Sequence, residues 1–118
     1  MIDPFYATGQ YDQVITMTRR KRGQVPLWSQ MVLAMSYGQL GRQTDAAAAV
    51  AELLRRFPDC SFERILTEFG GIRDQPTLAL YLDGARKAGL RECATAEDLQ
   101  KYPKMTHLAL CDTKRATN

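Results

Sequence analysis

Apolar positions in this chain return at intervals of three, four and seven residues rather than alternating, so helices are expected almost throughout. Tyr11, Val14, Ile15 and Thr18 share one helical face, as do Phe62, Ile65, Leu66 and Phe69, and again Leu78, Tyr81, Leu82 and Ala85. Pro76 near the start and Gly89 just past the end punctuate the last of these helices. Gly70-Gly71 separates it from the helix before. Thr95-Ala-Glu-Asp98 has the form of a capping box opening a short helix that stops before Pro103. From Lys104 to Asn118 no pattern is sustained, although Leu108, Ala109 and Leu110 offer apolar contact. A partly disordered tail is expected there. The helix from about Pro26 to Leu40 differs from the rest in being apolar all round. Leu33, Ala34, Tyr37 and Leu40 occupy one face, Trp28, Met31 and Met35 the other, so both faces need cover.

Two segments repeat one another. Gly9-Gln-Tyr-Asp-Gln is followed by Pro26, and Gly41-Arg-Gln-Thr-Asp by Pro58; glycine to glycine and proline to proline are both spans of 32 residues (41 − 9 and 58 − 26). Such a period marks stacked helical hairpins that cannot bury an apolar face singly. The second copy resembles the tetratricopeptide pattern. Leu33, Ala34 and Tyr37 stand where that pattern has Leu, Gly and Tyr, Gly41 makes the turn, and Ala46, Val50 and Pro58 stand where it has Ala, Phe and Pro. Small Ala34 and Ala46 let two helices approach, Tyr37 fills space near the turn, and Pro58 ends the second helix by disfavouring helix at the residue before it. Gln30 takes the pattern's Trp position, with Trp28 two residues earlier, and Val14 and Thr18 depart from it in the first copy. Only Met1 to Thr8 precede the first turn, so the sequence reads as beginning inside a repeat.

The stretch from Ala46 to Asp59, then Ser61 to Leu66, and finally Leu82-Asp-Gly-Ala-Arg-Lys-Ala-Gly-Leu-Arg-Glu92 resembles the C-terminal tetratricopeptide region of bacterial class III adenylate/guanylate cyclases and related signalling proteins. The resemblance covers roughly Pro4 to Glu92. It implies an all-α domain of helical hairpins, one full repeat plus a partial one with closing helices, serving as an accessory module of a bacterial signalling protein. It does not imply cyclase activity, because that family's catalytic domain lies elsewhere in the chain. The expected organisation is a helical domain over residues 1–92 and a short helix with a tail over 93–118.

Composition changes little. A chain of 118 residues with a quarter of them charged is long enough for one buried core, and its net charge of +3 is a weak signal for nucleic acid or anionic membrane. Three widely spaced cysteines, Cys60, Cys93 and Cys111, form no Cys-x-x-Cys pair, so reduced thiols in a cytoplasmic protein are expected rather than a disulfide framework or zinc site. Met1-Ile-Asp-Pro lacks the basic start and apolar stretch of a secretory signal. The uncharged run from Gly23 to Gly41 carries proline, glutamines and serines, which marks a buried helix rather than a membrane span.

Trp28, Met31 and Met35 are the candidate protein-contact surface, either a peptide groove or a self-association face giving a homodimer, since Trp and Met supply large, adaptable contact area. The competing structural reading is that Ile2 to Tyr6 and the C-terminal tail cover them. Arg19-Arg-Lys-Arg22 is the candidate anion-binding cluster, read chiefly as a solvated helix end favoured by the helix dipole, with nucleic-acid binding as the alternative function. A small regulatory enzyme is the second alternative. His107 is the sole histidine, no Walker loop or dinucleotide glycine fingerprint occurs, Glu63 and Glu68 are five apart, and Asp59, Asp74 and Asp83 read as caps or surface charges. No catalytic, cofactor or metal site is therefore assigned. The expected function is a non-catalytic protein-interaction or oligomerisation module.

Overall fold

The computed structural model describes residues 3–68, 72–104 and 107–116, and among these it contains helices and no strand. The helices are α1 (Pro4–Ala7), α2 (Tyr11–Arg19), α3 (Leu27–Gln39), α4 (Gln43–Arg56), α5 (Phe62–Glu68), α6 (Gln75–Ala88), α7 (Ala96–Lys101) and α8 (Ala109–Ala116). The chain is all-helical, as its periodicity dictates. Phe69 and the Gly70-Gly71 break lie outside the described residues.

The 32-residue period has a physical basis in two equivalent turns. After α1, Gly9 N–H donates to the Tyr6 carbonyl and Gln10 N–H to that of Phe5; after α3, Gly41 N–H donates to Gly38 and Arg42 N–H to Tyr37, each group 32 positions on. Both glycines sit at positive φ, +78° and +74°, where a Cβ strains the backbone, so glycine recurs with the turn. α4 ends at Arg56, and Phe57, immediately before Pro58, has left the helical region with φ −136° and ψ 79°.

α3 is the central element, packing most extensively on α4 and α6 and next on α2. Its all-round apolarity follows from that position: Ala34, Met31 and Met35 are fully buried and Trp28, Val32 and Tyr37 nearly so. Val14, Ile15 and Thr18 of α2, Ala46, Val50 and Leu53 of α4, and Tyr81, Leu82 and Ala85 of α6 supply the facing stripes. Leu40, expected in the repeat interior, instead caps α3 and is 39 % exposed.

Local signals hold at the remaining ends. Thr95 and Asp98 form a reciprocal capping box on α7. Gly89 closes α6 in the left-handed region, and Asp74 opens it, accepting from the Thr77 hydroxyl at 2.6 Å and the Thr77 N–H at 3.0 Å. The Thr77 hydroxyl and then its N–H hold the Asp74 carboxyl below its ordinary 3.8. A depressed folded value means that this contribution is complete above 3.8 and disappears as pH falls through the folded one. Asp74→Asn keeps a capping oxygen but does not titrate. Its thermal stability relative to the unmodified protein is expected to converge on acidification from about pH 5 to about pH 2, and a constant difference would remove the cap from the acid response.

The expected irregular tail is in fact helical over Ala109–Ala116, and it is attached to the body. Leu108 and Cys111 are buried there. Cys93 and Cys111 form a disulfide with Cα atoms 5.5 Å apart, correcting the expectation of three reduced thiols. Sequence could not pair them: an odd count with wide spacing gives no preference, and the pairing depends on α8 returning to the segment after α6. Cys60 is free and buried.

Candidate functional site

The face carrying Trp28, Met31 and Met35 is not a surface. It is covered from within the chain by α6 and α1, which corrects its assignment as a contact patch. Trp28 stacks on Tyr81 at 5.6 Å between centroids, Tyr81 meets Tyr6 edge-on at 4.6 Å, and Tyr6 touches Tyr11 at 5.3 Å. The Tyr6 hydroxyl donates to the Leu80 carbonyl at 2.9 Å and accepts from the Gln39 amide at 3.2 Å, while Asp3 N–H donates to the Tyr81 hydroxyl at 2.8 Å. Burial raises the Tyr6 phenol and pushes Tyr81 up to about 12, so both stay neutral. The competing sequence reading was right about Tyr6, whereas Ile2 lies outside the described residues. The cover that sequence reasoning missed is α6.

The opposite face of α3 is covered in part by α4, which buries Ala34 and Tyr37 and leaves Leu33 half-buried. Between α2 and α4 it forms the floor of a shallow concavity of about 230 Å³, lined by Gln30, Leu33 and Tyr37 of α3 and by Ala48 and Ala49 of α4. Leu33 is half-buried, and the two alanines keep the α4 wall low. Gln30, standing where the repeat pattern has Trp, donates its amide to the Ala49 carbonyl at 3.0 Å and ties α3 to α4. Tyr37 is held between helix ends, with the Arg42 guanidinium 4.9 Å and the Arg19 guanidinium 6.0 Å from its ring centre.

Charge surrounds this floor. Arg19 stands on the α2 side, Asp45 and Glu52 on the α4 side. Asp45 pairs with Arg42 at 2.7 Å and Glu52 with Arg55 at 2.7 Å, both within α4 or its cap. The Arg55 guanidinium hydrogen-bonded to Glu52 holds that carboxyl below the usual range. Of the residues assigned to repeat packing, Ala34, Tyr37, Ala46 and Val50 are buried, Gly41 and Pro58 lie in exposed turns, and Leu33 faces the concavity.

The Arg19–Arg22 cluster lies at the C-terminal end of α2 and in the turn beyond it. α2 ends at Arg19, Arg20 caps it, and Lys21 donates to the Ser29 hydroxyl at 3.0 Å. All four side chains are exposed. Elsewhere, Asp59 accepts from the Tyr102 hydroxyl at 2.8 Å, Asp83 pairs with Lys87 at 2.9 Å, and His107 pairs with Asp112 at 2.8 Å. A cavity of about 180 Å³ lies beside Cys60, but burial, and then the Asp59 charge, push that thiol up to about 12. A thiol so disposed is a poor nucleophile at neutral pH. Among the described residues no group of three or more His, Cys, Asp or Glu side chains gathers as a metal site, and no helix is long and apolar enough to cross a membrane.

No protein-family model, curated protein or solved structure matches the chain.

Proposed function

We propose that the chain is a non-catalytic protein-interaction module that seats a short segment of a partner protein in the concavity between α2 and α4. The observation that carries this reading is the composition of that concavity: an aliphatic and tyrosine floor of Leu33, Tyr37 and Ala49 with charges of both signs at its edges. Apolar contact with a polar rim is the ordinary anatomy of a protein-binding patch. The floor is built on the central helix, whose other face is locked in the core, so the surface is presented rigidly. The resemblance of Pro4 to Glu92 to the repeat region of bacterial signalling proteins supports a place for the module in such a protein. The basic cluster at the end of α2 is exposed, but the Tyr37 ring beside Arg19 is buried and offers no free face on which a base could stack.

A display library of random linear peptides, selected on the immobilised chain, tests the proposal. Peptides are expected to enrich that bind the unmodified chain and lose at least about tenfold in affinity, about 1.4 kcal/mol, against Leu33→Glu. Far-ultraviolet circular dichroism confirms that this variant remains helical. Peptides insensitive to Leu33→Glu, or an absence of enrichment, would remove the concavity as the site. Sedimentation velocity across concentrations identifies a second copy of the chain as occupant if a dimer forms and Leu33→Glu disperses it.

A further inference from the structure

We infer that the Cys93–Cys111 pair is a reversible thiol–disulfide exchange site at which a dithiol reductant releases α8 from the body of the fold. The first argument is the attachment of α8 among the described residues. Among the described side chains of this segment, Leu108 and Cys111 are buried and Leu110 packs half-buried against the core; Leu108 N–H donates to the buried Glu63 carboxylate at 2.8 Å, and Lys114 approaches Glu92 at 3.8 Å. The His107–Asp112 pair is internal to the segment. A helix of eight residues has little stability of its own in water. Opening the disulfide removes the one covalent attachment and leaves the short helix docked by side-chain and backbone contacts alone.

Access is the second argument. The disulfide is shielded on one side only: Cys111 is fully buried, whereas Cys93 is half-buried and lines an open cavity of about 360 Å³. Arg86, Arg91, Lys114 and Glu92 also line that cavity. Three cations against one carboxylate leave it net positive, which favours approach of a thiolate. Arg86 is engaged by Glu92 at 2.7 Å and Arg91 by Asp98 at 3.2 Å, so the cations are held in place around the opening.

In the exchange, one thiolate of the dithiol attacks the Cys93 sulfur. A bond forms between the two, the Cys93–Cys111 bond breaks, and its electron pair leaves on the Cys111 sulfur, which takes a proton from solvent. Lys114, three residues along α8 from Cys111, lies on the same helical face as the leaving thiolate. The second thiol of the reductant, deprotonated, then attacks its own sulfur in the mixed disulfide, releasing Cys93. The reductant ends as a cyclic disulfide, and both cysteines end as thiols. Undocking of α8 removes Leu108 N–H from Glu63 and opens to solvent a carboxylate that is otherwise fully buried. Release therefore changes both the shape and the charge of the surface beside α5.

Hydrogen exchange by mass spectrometry on the full chain, purified without reductant and then treated with dithiothreitol, tests the inference. Amides of 109–116 are expected to exchange at least about tenfold faster after reduction, with those of α3 and α4 unchanged, and oxidised glutathione is expected to restore protection. Alkylation before exchange should add two groups under native conditions after reduction, with Cys60 reacting only on denaturation. Cys93→Ser should show the fast exchange without reductant. Unchanged protection of 109–116 in fully reduced protein would overturn the inference. So would loss of protection in α3 and α4 together with α8, since the bond would then be a global staple, and so would free Cys93 and Cys111 thiols in the untreated protein.

Discussion

Gly38→Ala is expected to destabilise the protein by about 2 kcal/mol or more, lowering the melting temperature by roughly 10 °C, even though alanine is the better helix former. The change favours α3 locally by about 1 kcal/mol. Against that, a Cβ on Gly38 would lie 2.7 Å from the Ala88 nitrogen and 3.0 Å from the Lys87 carbonyl carbon, both backbone atoms of α6. Backbone cannot rotate aside, so α6 would have to move away from α3, loosening Tyr81 from Trp28 as it went. A similar crowding occurs about one turn away along α6, where a Cβ on Gly84 would overlap the Tyr6 hydroxyl. Gly41 provides the contrast. Nothing lies within 4 Å of a Cβ there and the strain is one of φ, +74°, so Gly41→Asn should be milder than Gly41→Ala, because asparagine tolerates the left-handed region. At Gly38 no such relief exists. Thermal unfolding of the variants decides the matter, and a Gly38→Ala protein as stable as its parent would mean that α3 and α6 do not approach this closely.

What the sequence made legible was local. Spacing of three and four located the stripes of α2 and α6; Pro76 and Gly89 marked the ends of α6; Thr95 and Asp98 marked the start of α7; and the glycine period marked two equivalent turns. Each of these depends on residues within one or two turns of one another. The misreadings were all non-local. Trp28, Met31 and Met35 looked unpartnered because their cover, α6, arrives roughly fifty residues later, and no periodicity in α3 says which element will lie on it. Gly38 passed unnoticed since a glycine that permits backbone contact has the same local signature as one that weakens a helix. The concavity over Leu33 was hidden by the reverse error: an apolar residue on a repeat-like face reads as interior, and only the low alanine wall of α4 leaves it half open. α8 lacked a recognisable pattern because it is short: Leu108, Leu110 and Cys111 are too few to set a period, and the bond to Cys93 and the Leu108 N–H held by Glu63 depend on distant residues.

That carboxylate carries the second large expected effect. Glu63 sits in the first turn of α5, fully buried, an unusual position for an acid. The segment after α6 is drawn alongside α5 by Phe62 N–H donating to the Arg91 carbonyl at 2.8 Å and Glu63 N–H to that of Glu92 at 3.0 Å. The Glu63 side chain then accepts Ala94 N–H at 2.9 Å on one oxygen and Leu108 N–H at 2.8 Å on the other. A single side chain thus joins α5, the loop that carries Cys93 and the entry to α8. Glu63→Leu, close in volume, spares the desolvation of a carboxylate but leaves two buried N–H groups without this acceptor, each costing about 1–3 kcal/mol. The net loss is expected to be about 3 kcal/mol, read as a lower urea midpoint with unchanged slope. Glu63→Gln should fall between, because the amide offers one accepting oxygen and turns a donor toward the second N–H. The spatial pattern of the loss separates this account from a general loosening of the core: amides of Ala94 and Leu108 should lose hydrogen-exchange protection first, while α3 and α4 retain theirs under native conditions. An unchanged midpoint for Glu63→Leu, or protection lost from α3 before Leu108, would mean that Glu63 does not hold the C-terminal segment in place.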